Sequence, residues 1–234
     1  MHSLLARWPS LCAVCRRWCA GRLCQPCLAR HAPPVERCLQ CALRLAPGAA
    51  RCTACALRRD APLQHAVAAV DYGFPWDGLI TGLKFHHRLD LVHAFARLLH
   101  ETVQRAGLPQ PALVLPVPLA AQRLRERGYN QSWELGRRVA RRLGIAAHPS
   151  VLVRIKDTAH QLGLDEAERQ RNLKGAFMVE PRLAPRLQGL RVALVDDVMT
   201  SGATAEEAAR TLRKAGAEQV QLWVLARTAP AAGG

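Results

Sequence analysis

The sequence predicts an α/β protein, a parallel sheet flanked by helices and preceded by a small cysteine-rich module. Three observations predict it. Arg191–Thr204 reads R-V-A-L-V-D-D-V-M-T-S-G-A-T, a buried-strand run that ends in two carboxylates and a hydroxyl-rich turn before a helical segment. A second apolar run, Leu113–Val117, is stopped by Pro116-Val117-Pro118, and near-continuous apolar runs mark strands covered on both faces. Four C-x-x-C pairs fall within the 44 residues from Cys12 to Cys55. The chain has 234 residues, half of them hydrophobic, enough for one sizeable domain and an appendage. The expected division is 1–60 for the cysteine module and 61–234 for the larger domain.

The cysteines come first in chain order. Cys12/Cys15, Cys24/Cys27, Cys38/Cys41 and Cys52/Cys55 are four knuckles, and two knuckles supply the four thiolates of a tetrahedral zinc. Eight ligands complete two sites, although spacing leaves open whether neighbouring pairs combine or interleave. Cys19 is left over, either a small buried residue or a fifth candidate in the first cluster. A shell of four thiolates has no place for water, so these zincs are structural and the module is a scaffold.

Charge is uneven along the chain. The excess of +15 falls in residues 1–60 and 111–190, while 61–110 and 191–234 are balanced. Basic surface there steers a polyphosphate or a nucleic acid, with a merely solvated basic face as the bland alternative. The apolar runs are far shorter than a bilayer span and Met1–Pro9 lacks a signal-peptide core, so a cytoplasmic protein without membrane insertion is expected.

Ala66–Tyr72 is the first predicted strand of the large domain, closed by Gly73 and Pro75. Leu91, Phe95, Leu98, Leu99 and Val103 repeat at helical spacing and mark one apolar stripe. His86, His87, His93 and His100 lie in this region, without a placed partner, and receive no chemistry. After Leu113–Val117 comes Arg123-Leu124-Arg125-Glu126-Arg127-Gly128-Tyr129-Asn130-Gln131-Ser132, then a helix through Leu143 ending at Gly144. Arginines around a glycine turn suit bidentate contacts to pyrophosphate, although an exposed basic turn has the same composition. In open parallel sheets ligand loops gather at the C-terminal strand edge, so this loop and the 196–204 loop meet one ligand.

Val192–Val195 is the next strand and Glu206–Lys214 a helix, with Thr200, Ser201, Gly202, Ala203 and Thr204 between them. Free backbone N–H groups and the positive end of the helix dipole converge there, which suits a phosphate. Asp196 and Asp197 beside a bound anion need a reason. A ribose diol, which donates to carboxylates, or a magnesium ion supplies one. Gln221–Leu225 is the last strand, followed by a short small-residue tail.

The motifs V-L-P-V-P-L-x-x-x-R-x-R-x-R-G-Y-N-Q-S, T-A-H-Q-L-x-L with R-x-R-N-L-K-G-A-F, and V-D-D-V-M-T-S-G-A-T together resemble the ComF family, also known through GntX-type proteins. The resemblance spans nearly the whole chain. It implies a type I phosphoribosyltransferase-like, Rossmann-like domain that binds phosphoribosyl pyrophosphate (PRPP) with magnesium. It also implies that Asp196 and Asp197 take the ribose diol and Thr200–Thr204, with Ser201, Gly202 and Ala203, the 5′-phosphate. The loop after Val117, with Pro118, Arg123, Arg127, Gly128, Tyr129, Asn130 and Gln131, would meet the pyrophosphate. Lys156–Asn172 resembles the mobile loop that closes over such sites, with Gln161, Arg169, Arg171 and Asn172 as its contacts. The implied reaction transfers the phosphoribosyl group, releasing pyrophosphate, to an acceptor that the sequence does not name. The alternative role that the family suggests is a non-enzymatic or PRPP-responsive accessory protein of DNA uptake and natural transformation that binds single-stranded DNA and other uptake proteins.

Overall fold

The computed structural model describes residues 9–58, 60–156 and 172–229. Strands β1 (Pro9–Leu11) and β2 (Trp18–Ala20) pair antiparallel, and helices α1 (Gln25–His31) and α2 (Thr53–Ala56) each begin directly after a cysteine, Cys24 and Cys52. There follow β3 (His65–Asp71), α3 (Trp76–Phe85), α4 (Val92–Ala106), β4 (Leu113–Pro116), α5 (Ala121–Arg127), α6 (Gln131–Leu143) and β5 (Ala146–Ala147). The chain then forms β6 (Leu152–Arg154), β7 (Phe177–Val179), β8 (Arg191–Met199), α7 (Ala203–Lys214) and β9 (Gln219–Arg227). Among the described residues, no helix is long and apolar enough to cross a membrane.

Five strands make one parallel sheet in the order β3-β9-β8-β4-β5, while β6 and β7 form a separate antiparallel pair. The central strands read as continuous apolar runs because both faces are covered. Successive side chains of a strand point to opposite faces. Ala193, Val195, Trp223 and Leu225 accordingly pack with α3, α4 and α6, and Val192, Leu194, Leu222 and Val224 pack with α7. Gly136 lets α6 lie close on the sheet, since a Cβ there would stand 3.3 Å from Val195 and 3.6 Å from Val114.

The N-terminal cysteine segment packs against both faces beside the outer strand β3. Leu23 is buried with the α3/α4 side, while Ala42 is buried with the α7 side. Ala66 N–H on β3 donates to Leu39 O at 2.8 Å, and Trp76 Nε1 donates to His31 O at 2.7 Å. Arg37 Nη1 reaches Asp71 at the end of β3 at 2.6 Å.

Several expectations shift at their boundaries. The strand expected over Val192–Val195 runs on through both acids to Met199, because β9 continues beside it as far as Arg227. The following helix starts at Ala203, three residues before Glu206, because Gly202 at φ 89° reverses the chain at its N-cap. Arg123–Arg127, given no element from sequence, lies in α5, which Gly128 at φ 78° terminates. The helix predicted to end at Gly144 does so, with that glycine left-handed at φ 69°.

The topology fixes where a ligand can sit. From β4 the chain crosses through α6 to β5 on one side, and from β8 it crosses through α7 to β9 on the other. The C-terminal ends of β4 and β8, which are hydrogen-bonded neighbours, therefore flank a switch point where the loops part and leave a crevice.

Candidate functional site

A cleft of about 720 Å³ opens at that switch point. It is lined by Val117, Pro118 and Leu119 after β4, Arg123, Glu126 and Arg127 of α5, and Gln131 of α6. Asp196, Asp197 and Val198 of β8 and Thr200, Ser201, Ala203 and Thr204 of the next turn form the facing wall. Tyr72, Lys84, Phe85, His87, Arg154, Asn172, Leu173 and Thr228 complete it.

The two carboxylates differ because of what surrounds them. Asp197 is 4% exposed, and Lys84 Nζ lies 2.9 Å from its Oδ1. Its Oδ2 is buried with no hydrogen-bond partner, an acceptor that lacks a donor or cation. Asp196 is half-buried and takes hydrogen bonds on Oδ1 from Ser132 Oγ and from the N–H of Asp197, both at 2.9 Å. Burial, and then the adjacent Asp197 charge, raise Asp196 from 3.8 to about 7 against the pull of Lys84 and those two donors. The sequence suggests two carboxylates at a loop mouth, with little role in the fold. The structure corrects this, because both lie within β8 and Asp197 is tied to α3 through Lys84.

The turn after β8 presents the start of α7. Its N-cap, Gly202, provides no side-chain cap, so the first-turn amides after Ala203 are left for another acceptor. Ser201 Oγ lies 3.4 Å from the Ala203 N–H. Gly202 itself is outside the main cleft and borders a small recess beneath the turn.

On the opposite wall, Asn130 and Tyr129 hold the frame. Asn130 caps α6 by accepting from the N–H groups of Ser132 and Trp133, and its Nδ2 donates to Val117 O at 3.1 Å. The Tyr129 hydroxyl donates to Leu83 O. Gly128, Tyr129 and Asn130 thus lie behind the cleft lining, whereas Arg123, Arg127 and Gln131 line it. Arg127 donates to Gln131 Oε1 and its guanidinium stands 5.3 Å from the ring centre of Phe85. Asn172 lines the cleft; Gln161, Arg169 and Arg171 lie outside the described residues.

Lys84 and Phe85 were missed from sequence and His87 was given no chemistry there, yet all three line the cleft. One signal was available. Lys84 is one of only four lysines in a chain with 33 basic residues, and it follows the apolar positions Leu79, Ile80 and Leu83 of α3.

The cysteines form two groups. Cys12, Cys15, Cys24 and Cys27 meet in one, and Cys38, Cys41, Cys52 and Cys55 in the other, each with its four sulfur atoms within 4.8 Å of one another. Neighbouring knuckles therefore combine in chain order. Sulfurs of Cys15 and Cys24 are 3.6 Å apart, those of Cys41 and Cys52 3.7 Å. A tetrahedron with zinc–sulfur bonds of ~2.3 Å has edges of ~3.8 Å, so the donor set and its size both fit zinc. Burial pushes the Cys12 thiol up, but N–H donors from Cys15, Cys24 and Val14 outweigh it and bring the group down to about 6. Burial and the sulfurs of the other cluster cysteines push Cys27 and Cys55 up, so gathering four thiolates calls for a cation. Cys19 is not one of the four but packs against the first group, and its Sγ lies 3.1 Å from Gly21 O. No residue of 9–58 lines the cleft, so among the described residues the module does not cover it.

The chain is similar to known proteins over nearly its whole length. Residues 130–232 match the phosphoribosyl transferase domain family. The chain is 38% identical over 237 residues to the DNA utilization protein YhgH of Salmonella typhi, covering 97% of this chain and 94% of that protein. It is 39% identical over 157 residues to competence protein F of Haemophilus influenzae, covering 65% of this chain and 68% of that one. Competence protein ComFC of Bacillus subtilis is 25% identical over 150 residues, 64% of this chain and 58% of its own.

Proposed function

Because the chain belongs to the ComF family, with a type I phosphoribosyltransferase-like fold, we propose that it binds magnesium-complexed PRPP and transfers the phosphoribosyl group to an acceptor with release of pyrophosphate. The observation that carries this reading is convergence. Tandem acids, an uncapped helix start and two arginines share one cleft at the switch point of a parallel sheet.

Asp196 and Asp197 accept from the ribose diol, and the free Asp197 Oδ2 takes up its missing donor there. Thr200, Ser201, Thr204 and the first amides of α7 hold the 5′-phosphate. Arg123, Arg127, Gln131 and the Val117–Pro118 backbone face the pyrophosphate, and Asn172 stands beside them. In the reaction the bond from ribose C1 to pyrophosphate oxygen breaks, with the electron pair leaving on pyrophosphate, while the acceptor's lone pair forms the new bond to C1. Arg123 and Arg127 stabilise the charge that develops on the leaving group.

Magnesium fits the same acids, since an orphaned carboxylate oxygen and a neighbour that resists ionisation both gain from a cation. When bound, it supplies further charge stabilisation for the pyrophosphate. Two structural zincs in the cysteine clusters belong to the same reading, as do a module over 1–60, a phosphoribosyltransferase-like domain over 61–234, and a cytoplasmic location.

Calorimetry with magnesium and PRPP tests the binding. Pyrophosphate release in the presence of candidate bases and amines then tests the transfer. No heat of binding at millimolar PRPP removes the reading.

A second reading has its own support. Relatives carry DNA utilization and competence names, and Phe85, 65% exposed at the cleft with Arg127 beside it, offers a stacking ring next to a cation. In that reading the protein is a PRPP-responsive binder of single-stranded DNA in DNA uptake. Affinity for a single-stranded oligonucleotide that falls steeply with salt supports it, and no binding at low salt removes it.

A further inference from the structure

The second cysteine cluster is fastened to both ends of the turn that follows β8, and neither fastening takes part in the proposed chemistry. Arg227, the last residue of β9, is 6% exposed. Its Nε donates to the carbonyl of Cys41 at 2.8 Å. Its Nη1 donates to the carbonyls of Met199 at 3.1 Å, Thr228 at 2.8 Å and Thr200. One guanidinium thus joins a cluster cysteine to the two residues that lead into the turn.

The other fastening lies at the far end. Arg58, three residues past Cys55, makes a two-pronged contact with Glu206, at 2.6 Å and 3.0 Å. Glu206 lies in the first turn of α7, and its N–H closes that turn onto Gly202 O at 2.9 Å. Between these two arginines, Ala42 and Cys41 share an apolar cluster with Met199 and Ala205. The first cysteine cluster has no such tie. Among the described residues, no hydrogen bond or ion pair joins residues 9–32 to residues 196–206, and the apolar neighbours of that cluster pack on the opposite face of the sheet.

Charge gives the fastening its direction. Besides the Cys41 side chain, the hydrogen-bond acceptors that Arg227 meets are carbonyls, with no carboxylate among them, so its buried charge is balanced mainly by dipoles unless the cluster sulfurs carry charge. Four thiolates around one divalent ion leave a net charge of about −2. A loaded second cluster is therefore the counter-charge for Arg227, and an emptied one withdraws that charge and loosens the Cys41 carbonyl as well.

We infer that Arg227 is a positioning residue for the Thr200–Thr204 turn, through which metal loading of the second cysteine cluster, and not of the first, sets affinity for a sugar phosphate. The inference rests on the reading of that turn as the 5′-phosphate site.

Four variants test it: Cys52→Ser, Cys15→Ser, Arg227→Gln and Arg227→Lys. Zinc per chain is measured by elemental analysis, and affinities for ribose 5-phosphate and for inorganic pyrophosphate by calorimetry. Amide hydrogen exchange over residues 200–206 is followed without ligand. Cys52→Ser and Arg227→Gln should each weaken ribose 5-phosphate by roughly tenfold, the loss of one charge-assisted tie, and speed exchange in the turn. Arg227→Gln should keep both zincs and its pyrophosphate affinity, which a general loss of fold would not spare, and Arg227→Lys should recover part of the loss. Cys15→Ser should lose one zinc and leave the turn unchanged. Equal effects of Cys15→Ser and Cys52→Ser, or wild-type exchange in Arg227→Gln, overturn the inference. If Cys52→Ser does not fold, Arg227→Gln decides alone. If the wild-type protein binds no sugar phosphate, the functional reading falls, and exchange over 200–206 then decides the linkage by itself.

Discussion

Lys84 occupies one oxygen of Asp197 at 2.9 Å and leaves the other without a partner, so the most buried carboxylate of the cleft is half committed to the fold and half open to a ligand. That division means substitutions here act on stability and binding together.

Asp197→Asn removes the charge that Lys84 faces. The lysine keeps some solvent access, so the expected loss of stability is about 1–2 kcal/mol, below that for a fully buried pair. PRPP affinity should fall by roughly tenfold or more, because charge-assisted bonds to the diol become neutral ones. Denaturant midpoints and calorimetry on the same sample separate the two effects, and unchanged PRPP affinity contradicts the site.

Asp196 gives a pH signature. Its carboxyl is raised from 3.8 to about 7, by burial first and by Asp197 second, so the folded protein keeps a proton that the unfolded chain has released. Stability from this group is accordingly greatest in acid and declines as pH rises from about 4 to about 7, with no further change above. Binding of a diol or a cation favours the charged form. PRPP affinity should therefore climb roughly tenfold per pH unit below pH 7 and level off above it. Asp196→Asn should flatten the profile. A flat wild-type profile between about pH 6 and pH 8 (about one unit either side of the transition) would show that this carboxyl does not meet the ligand.

Much of this was legible in the sequence. The covered parallel sheet follows from apolar runs too continuous for a one-faced sheet, whereas the order of its strands comes from the structure alone, and Gly144 ends its helix where expected. The cysteine spacing gave the ligands but not their pairing, because joining Cys15 to Cys24 rather than to a later knuckle depends on how β1, β2 and α1 bring distant residues together. Lys84, Phe85 and His87 were hidden for a similar reason. Lys84 and Phe85 end α3 and His87 follows it, all far from β8 in sequence, and the rarity of lysine in this chain does not say which carboxylate Lys84 meets. The two acids were placed at the loop mouth because carboxylates after four apolar residues look like the end of a strand, and only the partner strand β9 shows that the ladder continues.

Elemental analysis of purified protein should find two zincs per chain, one for each four-cysteine cluster. A ratio of one or below contradicts the reading of both clusters as complete sites.

Arg127→Ala should weaken pyrophosphate binding roughly tenfold and leave the melting temperature nearly unchanged, since its contacts to Phe85 and Gln131 border the cleft. Titration calorimetry and a thermal melt check both halves. A large drop in melting temperature with intact pyrophosphate affinity assigns the arginine to the frame alone.

Gly136→Ala tests how closely α6 lies on the sheet. The added methyl would meet Val195 at 3.3 Å and Val114 at 3.6 Å, both fully buried β-branched side chains with little room to yield. We expect a destabilisation of about 1 kcal/mol in a urea titration. An unchanged midpoint would mean that the helix shifts freely.

The packing of the N-terminal segment along β3 has a consequence for how the protein fails. The backbone of a sheet's outermost strand is a template for another chain, and here Leu39 occupies it through the N–H of Ala66. At the far border, β5 offers only two residues. A chain stripped of its metals would bare the longer of these borders, so its failure should take the form of ordered intermolecular aggregation through β3 as well as simple unravelling.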